Sequence, residues 1–131
     1  MKKDIEIPIA KNIQVVATKE WDKEFLSQAW NVYIINNREE MIESVLVMSR
    51  GNSATKKTTT LRHNIGDLPG HTGGKVEFIS EEVFGFTNEY LVTFFAQGKL
   101  FERNFEFPPF NISEKNTVFV DLMGQDCVMA E

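Results

Sequence analysis

Two histidines, an aspartate and a lysine lie within or beside a glycine-rich stretch, and these side chains have the types and spacing for metal or anion chemistry. The stretch GDLPGHTGGK, residues 66–75, holds four glycines and a proline in ten positions. Imidazole and carboxylate groups bind zinc and similar ions, so two histidines and an aspartate could form a metal site if the loop folds back. Arg62 could assist a reaction there. The candidate ligand-binding residues are His63, Asp67, His71 and Lys75.

Backbone N–H groups freed by the four glycines could instead ring a phosphate. A nucleotide-binding P-loop, however, needs an earlier glycine where Pro69 stands, and a serine or threonine where Val76 follows Lys75. It also needs a helix after the loop, whereas the next residues alternate as a strand does, with Val76 and Phe78 on one face and Lys75 and Glu77 on the other. The sequence therefore argues against nucleotide hydrolysis by this route.

The metal hypothesis has a plain structural alternative. The spacing of His63, Asp67 and His71 reproduces no known set of zinc ligands. One histidine on a strand and one in a loop then explain the pattern, and the glycines permit positive φ in a tight connection between strands. This interpretation predicts no catalytic residue and no cofactor. It leaves a metal-dependent enzyme or metal-binding protein as the alternative.

The remaining reactive side chains show no catalytic arrangement. Cys127 would need a base and an orienting group to act as a nucleophile, and it lies four residues from the end of the sequence, where chains are usually mobile. Glu77, Glu102 and Glu106 occupy single positions that alternate with other residues. We predict a free thiol and solvated glutamates, without a carboxylate pair for general acid–base catalysis.

Charge and hydropathy argue against two classes of partner. The 14 lysines and arginines are outnumbered by 19 aspartates and glutamates, which gives a net charge of −5. Nucleic acids are bound mainly through clustered basic residues, so we expect no nucleic-acid partner. No apolar run approaches the roughly 20 residues of a membrane helix, and Asp4 and Glu6 interrupt any signal peptide. With a single cysteine, we predict a cytoplasmic protein without a membrane partner.

The elements that must position these side chains are strands, because apolar and polar residues alternate with period two along most of the chain. Residues 88–107 form the strongest hairpin pattern, since two aromatic-rich runs flank Gln97 and Gly98. NNREE, residues 36–40, predicts the turn of another hairpin. Ser80 predicts the N-cap of one helical turn. The other predicted strands cover residues 5–9, 13–17, 30–37, 41–49, 57–65, 75–80 and 117–123, and residues 19–29 fit either a short helix or a hairpin.

About eight short strands and one or two short helical turns, without long helices between them, predict an all-β fold. We expect one domain, residues 1–131, built as an antiparallel two-layer β-sandwich. An immunoglobulin-like topology is the commonest solution at this length, and a closed barrel is the alternative. Eleven phenylalanines are available to fill the core.

These observations favour a non-enzymatic binding or assembly module. Residues 5–9 alternate isoleucine with Glu6 and Pro8, and the proline confines this segment to a sheet edge or a strand end. Such an edge could pair with a second copy of the chain, as a homodimer, or with an extended segment of a protein partner. A carbohydrate- or lipid-binding sandwich is a further alternative, with exposed rings such as Trp21 or Phe110 lining a cleft.

Three stretches resemble those of a group of short, uncharacterised bacterial proteins. They are WNVYIINN (30–37), RHNIGDLPGHTGGKVEF (62–78) and VTFF (92–95), so the resemblance would span most of the chain. Members of this group are sometimes labelled phenylalanyl-tRNA synthetase alpha subunits. The arginine-bearing and glycine-rich motifs of class II synthetases are not recognisable here, and the chain is too short for that catalytic fold. The resemblance therefore implies no functional residue.

Overall fold

The computed structural model describes residues 6–131, which form nine β-strands and two short 3-10 turns. Neighbouring strands pair antiparallel in two sheets, so the predicted all-β sandwich is confirmed. Within the described residues, no helix is long and apolar enough to cross a membrane. The 3-10 turns cover Glu81–Val83, capped by Ser80 as predicted, and Glu114–Asn116. The strands are β1 (Ile13–Asp22), β2 (Ser27–Asn36), β3 (Ile42–Asn52), β4 (Leu61–Leu68), β5 (Thr72–Ile79), β6 (Thr87–Ala96), β7 (Lys99–Phe107), β8 (Val118–Val120) and β9 (Gln125–Met129).

The two sheets face each other across one apolar core. The five-stranded sheet has the order β5-β2-β1-β9-β8, and the four-stranded sheet has the order β4-β3-β6-β7. Alternation decides which residues enter the core: Val15 and Ala17 of β1 face it, while Val16 packs on the opposite side of the sheet. Burying one phenylalanine contributes about 1.5–3 kcal/mol. The largest buried side chains of this core are Tyr90, Phe94, Phe105 and Phe107.

Two hairpins are defined by their turns. β1 and β2 pair along their full lengths, so residues 19–29 form a hairpin and not a helix. The Asp22 carboxylate closes that turn by accepting two backbone N–H groups. The predicted β6–β7 hairpin is confirmed, with Gln97 (φ 53°) and Gly98 (φ 75°) in the two positive-φ positions typical of a type I′ turn.

The NNREE stretch is a corner between the sheets, so its prediction as a hairpin turn is wrong. It connects β2 of the five-stranded sheet to β3 of the four-stranded sheet. The buried Asn36 side chain holds the corner, because its amide group donates to the carbonyl groups of Glu40, Leu68 and Pro69. Polar turn residues end a strand in either arrangement. The local pattern therefore does not show whether the next strand pairs with the last one or crosses to the other sheet.

The two ends of the chain differ from expectation. Ile5 of the predicted edge strand lies outside the described residues, and Ile9 makes only an isolated parallel bridge to Glu102 on β7. Residues near the other end form β9, which lies between β1 and β8. We expected a tail without assigned structure there. Cys127 is instead fully buried on a central strand.

Candidate functional site

Glu77 lies on β5, at the side of the sandwich where the edge strands β4 and β5 approach each other. The pairing of β5 with β2 breaks its register here: Val32 is opposite Glu77, but the next residue, Tyr33, is opposite Lys75. Val76 is therefore the extra residue of a β-bulge, which shifts the alternation of the strand by one position. Val76 and Glu77 consequently both face the other sheet.

This bulge overturns two predictions. We expected Val76 and Phe78 to share one face of the strand, and Glu77 to be solvated. Instead Val76 is buried, Phe78 is 51% exposed, and the side chain of Glu77 is only 17% exposed. A period-two pattern carries no signal for an inserted residue, so the sequence alone does not identify Glu77 as a site residue.

The Glu77 carboxylate contacts three strands of the opposite sheet. Its Oε1 accepts a hydrogen bond of 2.9 Å from the Ser49 hydroxyl on β3 and lies 2.8 Å from Nε2 of His63 on β4. Its Oε2 accepts a hydrogen bond of 2.7 Å from the Tyr90 hydroxyl on β6. Ser49 and Tyr90 are buried, so their hydroxyl groups need a protein partner. These four residues, the Glu77 cluster, bridge the two sheets through one carboxylate.

The geometry of the Glu77 cluster shows which groups donate. Nε2 of His63 carries a proton, because a bare nitrogen 2.8 Å from a carboxylate oxygen would be repelled. The Ser49 hydroxyl lies 3.1 Å from the same nitrogen and gives its proton to Glu77. In a Ser–His–acid triad, the serine and the carboxylate bind different ring nitrogens. Here both face Nε2, so His63 cannot accept the Ser49 proton, and Ser49 is not an activated nucleophile.

A cleft of about 300 Å³ opens onto this cluster. Small-molecule sites in proteins begin at about this volume. Trp21 and Phe110, the rings considered for a carbohydrate or lipid site, do not line it. We call it the Glu77 cleft. Its buried or half-buried polar side chains include Ser49, Glu77 and Tyr90, and its apolar ones include Leu61, Ile79 and Val83.

The structure separates the residues of the metal hypothesis. His63 belongs to the Glu77 cluster, whereas Asp67 accepts a hydrogen bond of 2.9 Å from the backbone N–H of Ser44. His71 is exposed at the turn after β4, where its backbone N–H donates to the carbonyl of Arg38. Among residues 6–131, no group of three or more His, Cys, Asp or Glu side chains is placed to hold a metal ion. The positions of these residues therefore give the metal hypothesis no support.

Lys75 faces away from the Glu77 cleft, on the outer side of the five-stranded sheet, where it lies opposite Tyr33. Its charge acts there on Glu20 of β1. Burial alone would raise the pKa of Glu20, but three side-chain hydrogen bonds and the Lys75 charge hold that pKa below its ordinary value. The three donors are Tyr33, Asn31 and Gln125. Lys75 therefore acts on Glu20 on the outer side of the sheet and does not line the cleft.

The glycine-rich stretch is a tight connection between strands. A Cβ atom at Gly70 would lie 2.1 Å from the carbonyl oxygen of Glu39, so the turn after β4 passes the corner after β2 only without a side chain. Gly66 adopts a positive φ of 85° at a register break between β3 and β4. Close approach at Gly70 and positive φ at Gly66 explain two of the four glycines in this stretch.

Cys127 is a free, buried thiol, which packs with Val16 and Ile35 on the outer side of the five-stranded sheet. Burial raises the pKa of this thiol. The thiolate is the nucleophilic form of cysteine, so burial makes Cys127 unreactive. The side chain serves packing.

Both tyrosines should stay protonated in the folded protein at a pH where tyrosine ordinarily ionises. Burial, followed by Glu20, raises the pKa of Tyr33 to about 12, and burial, followed by the Glu77 charge, raises the pKa of Tyr90. The unfolded chain releases these protons at about pH 10, so their contribution to stability is complete below that pH and is lost as pH rises further. Tyrosinate absorbance measures this ionisation, and the Tyr33→Phe variant isolates Tyr90. Half-maximal tyrosinate absorbance at about pH 10 in the folded Tyr33→Phe variant would contradict the buried position of Tyr90.

The chemistry of the Glu77 cleft is the guide to function. No protein-family model, curated protein or solved structure matches the chain. The resemblance to short bacterial proteins stays a prediction.

Proposed function

We propose that the chain is a non-enzymatic binding module that holds a small molecule in the Glu77 cleft. The observation that carries this proposal is a carboxylate turned inward by a β-bulge and held by three donors beside a cavity. Ligand sites combine apolar walls with a few well-oriented polar groups, and this cleft has both. Strands hold every member of the cluster, which keeps the polar groups oriented before a ligand arrives.

The Glu77 cluster supports binding better than catalysis. Its carboxylate already has three protein partners, Ser49, His63 and Tyr90, and the Ser49 hydroxyl has no base to activate it. Assembly through a sheet edge, an immunoglobulin-like topology and a cytoplasmic location stay predictions. Light scattering would test the first of these against the 15.0 kDa mass of one chain.

Thermal unfolding with a panel of small molecules tests the binding proposal. A compound that binds only the folded state raises Tm, and we expect compounds of one chemical class to do so. Thr59→Trp should abolish this stabilisation, because Thr59 lines the cleft and is exposed at its mouth. Thr55→Trp is the matched control, since Thr55 is exposed on the same loop and does not line the cleft. The proposal fails if no compound stabilises the wild type, or if both variants respond equally.

A further inference from the structure

The buried hydroxyl and amide groups at the bottom of the Glu77 cleft already donate hydrogen bonds within the protein, so they can offer a ligand only acceptors. The hydroxyl groups of Ser49 and Tyr90 both donate to Glu77. Burial and the Glu77 charge raise the pKa of Tyr90, so this hydroxyl keeps its proton. The Asn88 amide nitrogen donates to two backbone carbonyl groups, which leaves its oxygen as an acceptor. A hydroxyl oxygen that has given its proton still accepts hydrogen bonds. A ligand that reaches the bottom of the cleft must therefore supply the hydrogen-bond donors.

The base of the cleft also carries a negative charge. Among residues 6–131, Glu77 makes no ion pair with a lysine or arginine, and its contact with His63 is an ion pair only when the imidazole is protonated. Arg50, the cationic residue that lines the cleft, pairs with Glu89. A carboxylate has about four lone-pair sites, and the protein uses three of those on Glu77. One site stays open for a cationic donor.

The walls of the cleft are apolar and suit the hydrocarbon part of a small ligand. Leu61 and Val83 line it, and Leu61, which is 50% exposed, lies on the same face of its sheet as Ser49. An accessible leucine side chain offers apolar surface that a ligand can bury. The volume of about 300 Å³ restricts the ligand to a small molecule.

We infer that the Glu77 cleft binds a small organic ammonium ion. The ammonium group lies against the oxygens of Ser49, Glu77 and Tyr90, and the apolar part of the ligand lies along Leu61. This inference rests on the proposed function. An ammonium group has three hydrogen-bond donors and no acceptor, which matches the acceptor oxygens at the bottom of the cleft. Its hydrogen bonds to a carboxylate are charge-assisted and are roughly twice as strong as neutral ones.

Three probes with the same ring and different head groups test the inference by calorimetric titration of the wild-type protein. They are 2-phenylethylammonium, 2-phenylethanol and phenylacetate, at about pH 8, above the ordinary pKa of histidine. We expect the ammonium to bind about tenfold more tightly than the alcohol, because one neutral contact is replaced by a charge-assisted one. Phenylacetate should bind most weakly, since its carboxylate brings no donor.

Glu77→Gln should bring the affinities of the ammonium and the alcohol to within about threefold of each other, because the charge is removed while the side-chain size is kept. Glu81→Gln is the matched control. Glu81 is exposed next to Ser80 at the rim of the cleft, so it tests the general negative field without touching the base. It should leave the tenfold preference of about 1.4 kcal/mol in place. If Glu77→Gln fails to fold, the order of affinities in the wild type decides the matter.

Three results would overturn the inference. Equal affinities for the ammonium and the alcohol would show that the positive charge of the ligand does not contribute to binding, but the cleft would remain a binding site. Tighter binding of phenylacetate would contradict the assignment of acceptors at the base. Binding of none of the probes would also refute it, and the thermal-unfolding panel then decides separately whether the proposed function stands.

Discussion

Replacing Glu77 with alanine should lower the free energy of unfolding by about 3 kcal/mol, because three donors lose their acceptor. Ser49 and Tyr90 are 5% and 1% exposed, so water does not readily replace the carboxylate. A buried polar group without a partner costs about 1–3 kcal/mol. Relaxation beside the open cleft keeps the total below the sum for three groups. Urea unfolding followed by circular dichroism measures the change.

Glu106→Ala is the matched control for this substitution. Glu106 is another strand glutamate, and within residues 6–131 its carboxylate forms no ion pair, so the change should stay within about 0.5 kcal/mol. The double variant with Tyr90→Phe should cost less than the sum of the single changes, since one of the unpaired hydroxyl groups is already gone. Strictly additive costs, or a cost for Glu77→Ala as small as that of the control, would show that this carboxylate does not bridge the sheets.

Gly70→Ala should lower the free energy of unfolding by about 3 kcal/mol or more. The new methyl group would lie 2.1 Å from the carbonyl oxygen of Glu39 and 2.8 Å from that of Arg38. Both atoms belong to the backbone, so neither can rotate away. The turn after β4 would have to leave the corner after β2, and the buried Asn36 side chain would lose two of its carbonyl partners. Thermal and urea unfolding both report this loss.

Gly73→Ala provides the comparison within the same stretch. The nearest atom to its added Cβ is the carbonyl oxygen of Ile34 at 3.5 Å, an ordinary contact, and its φ is not positive. We expect a change below about 1 kcal/mol. If the two alanine variants unfold alike, close approach at Gly70 is not the reason for a glycine there.

Alternation of side chains predicted most strands, because each strand of a sandwich has one face against the core. Val15 and Ala17 on β1, and Phe105 and Phe107 on β7, follow this rule. The same pattern could not assign strands to sheets. Asn36 ends β2 whether the chain turns back or crosses over, and only its long-range carbonyl partners distinguish the two.

Of the four residues in the Glu77 cluster, the sequence predicted only His63 as a site residue. His63 was recognised by its chemistry, but its partners come from three other strands, and no local spacing connects them. Glu77 was assigned to the solvated face because the bulge at Val76 leaves no compositional trace. One signal was available: Ser49 and Tyr90 are polar residues at core-facing positions of apolar strands, and buried polar groups require partners.

An amide NMR titration of the folded protein with 2-phenylethylammonium tests most directly whether the Glu77 cleft is the ligand site. Saturable shifts should concentrate on the amides of Ser49, Gly51, Glu77 and Tyr90, which line the cleft, and Thr59→Trp should abolish them. Saturable shifts concentrated elsewhere, for example at the exposed Phe119 on the edge strand β8, would contradict the account.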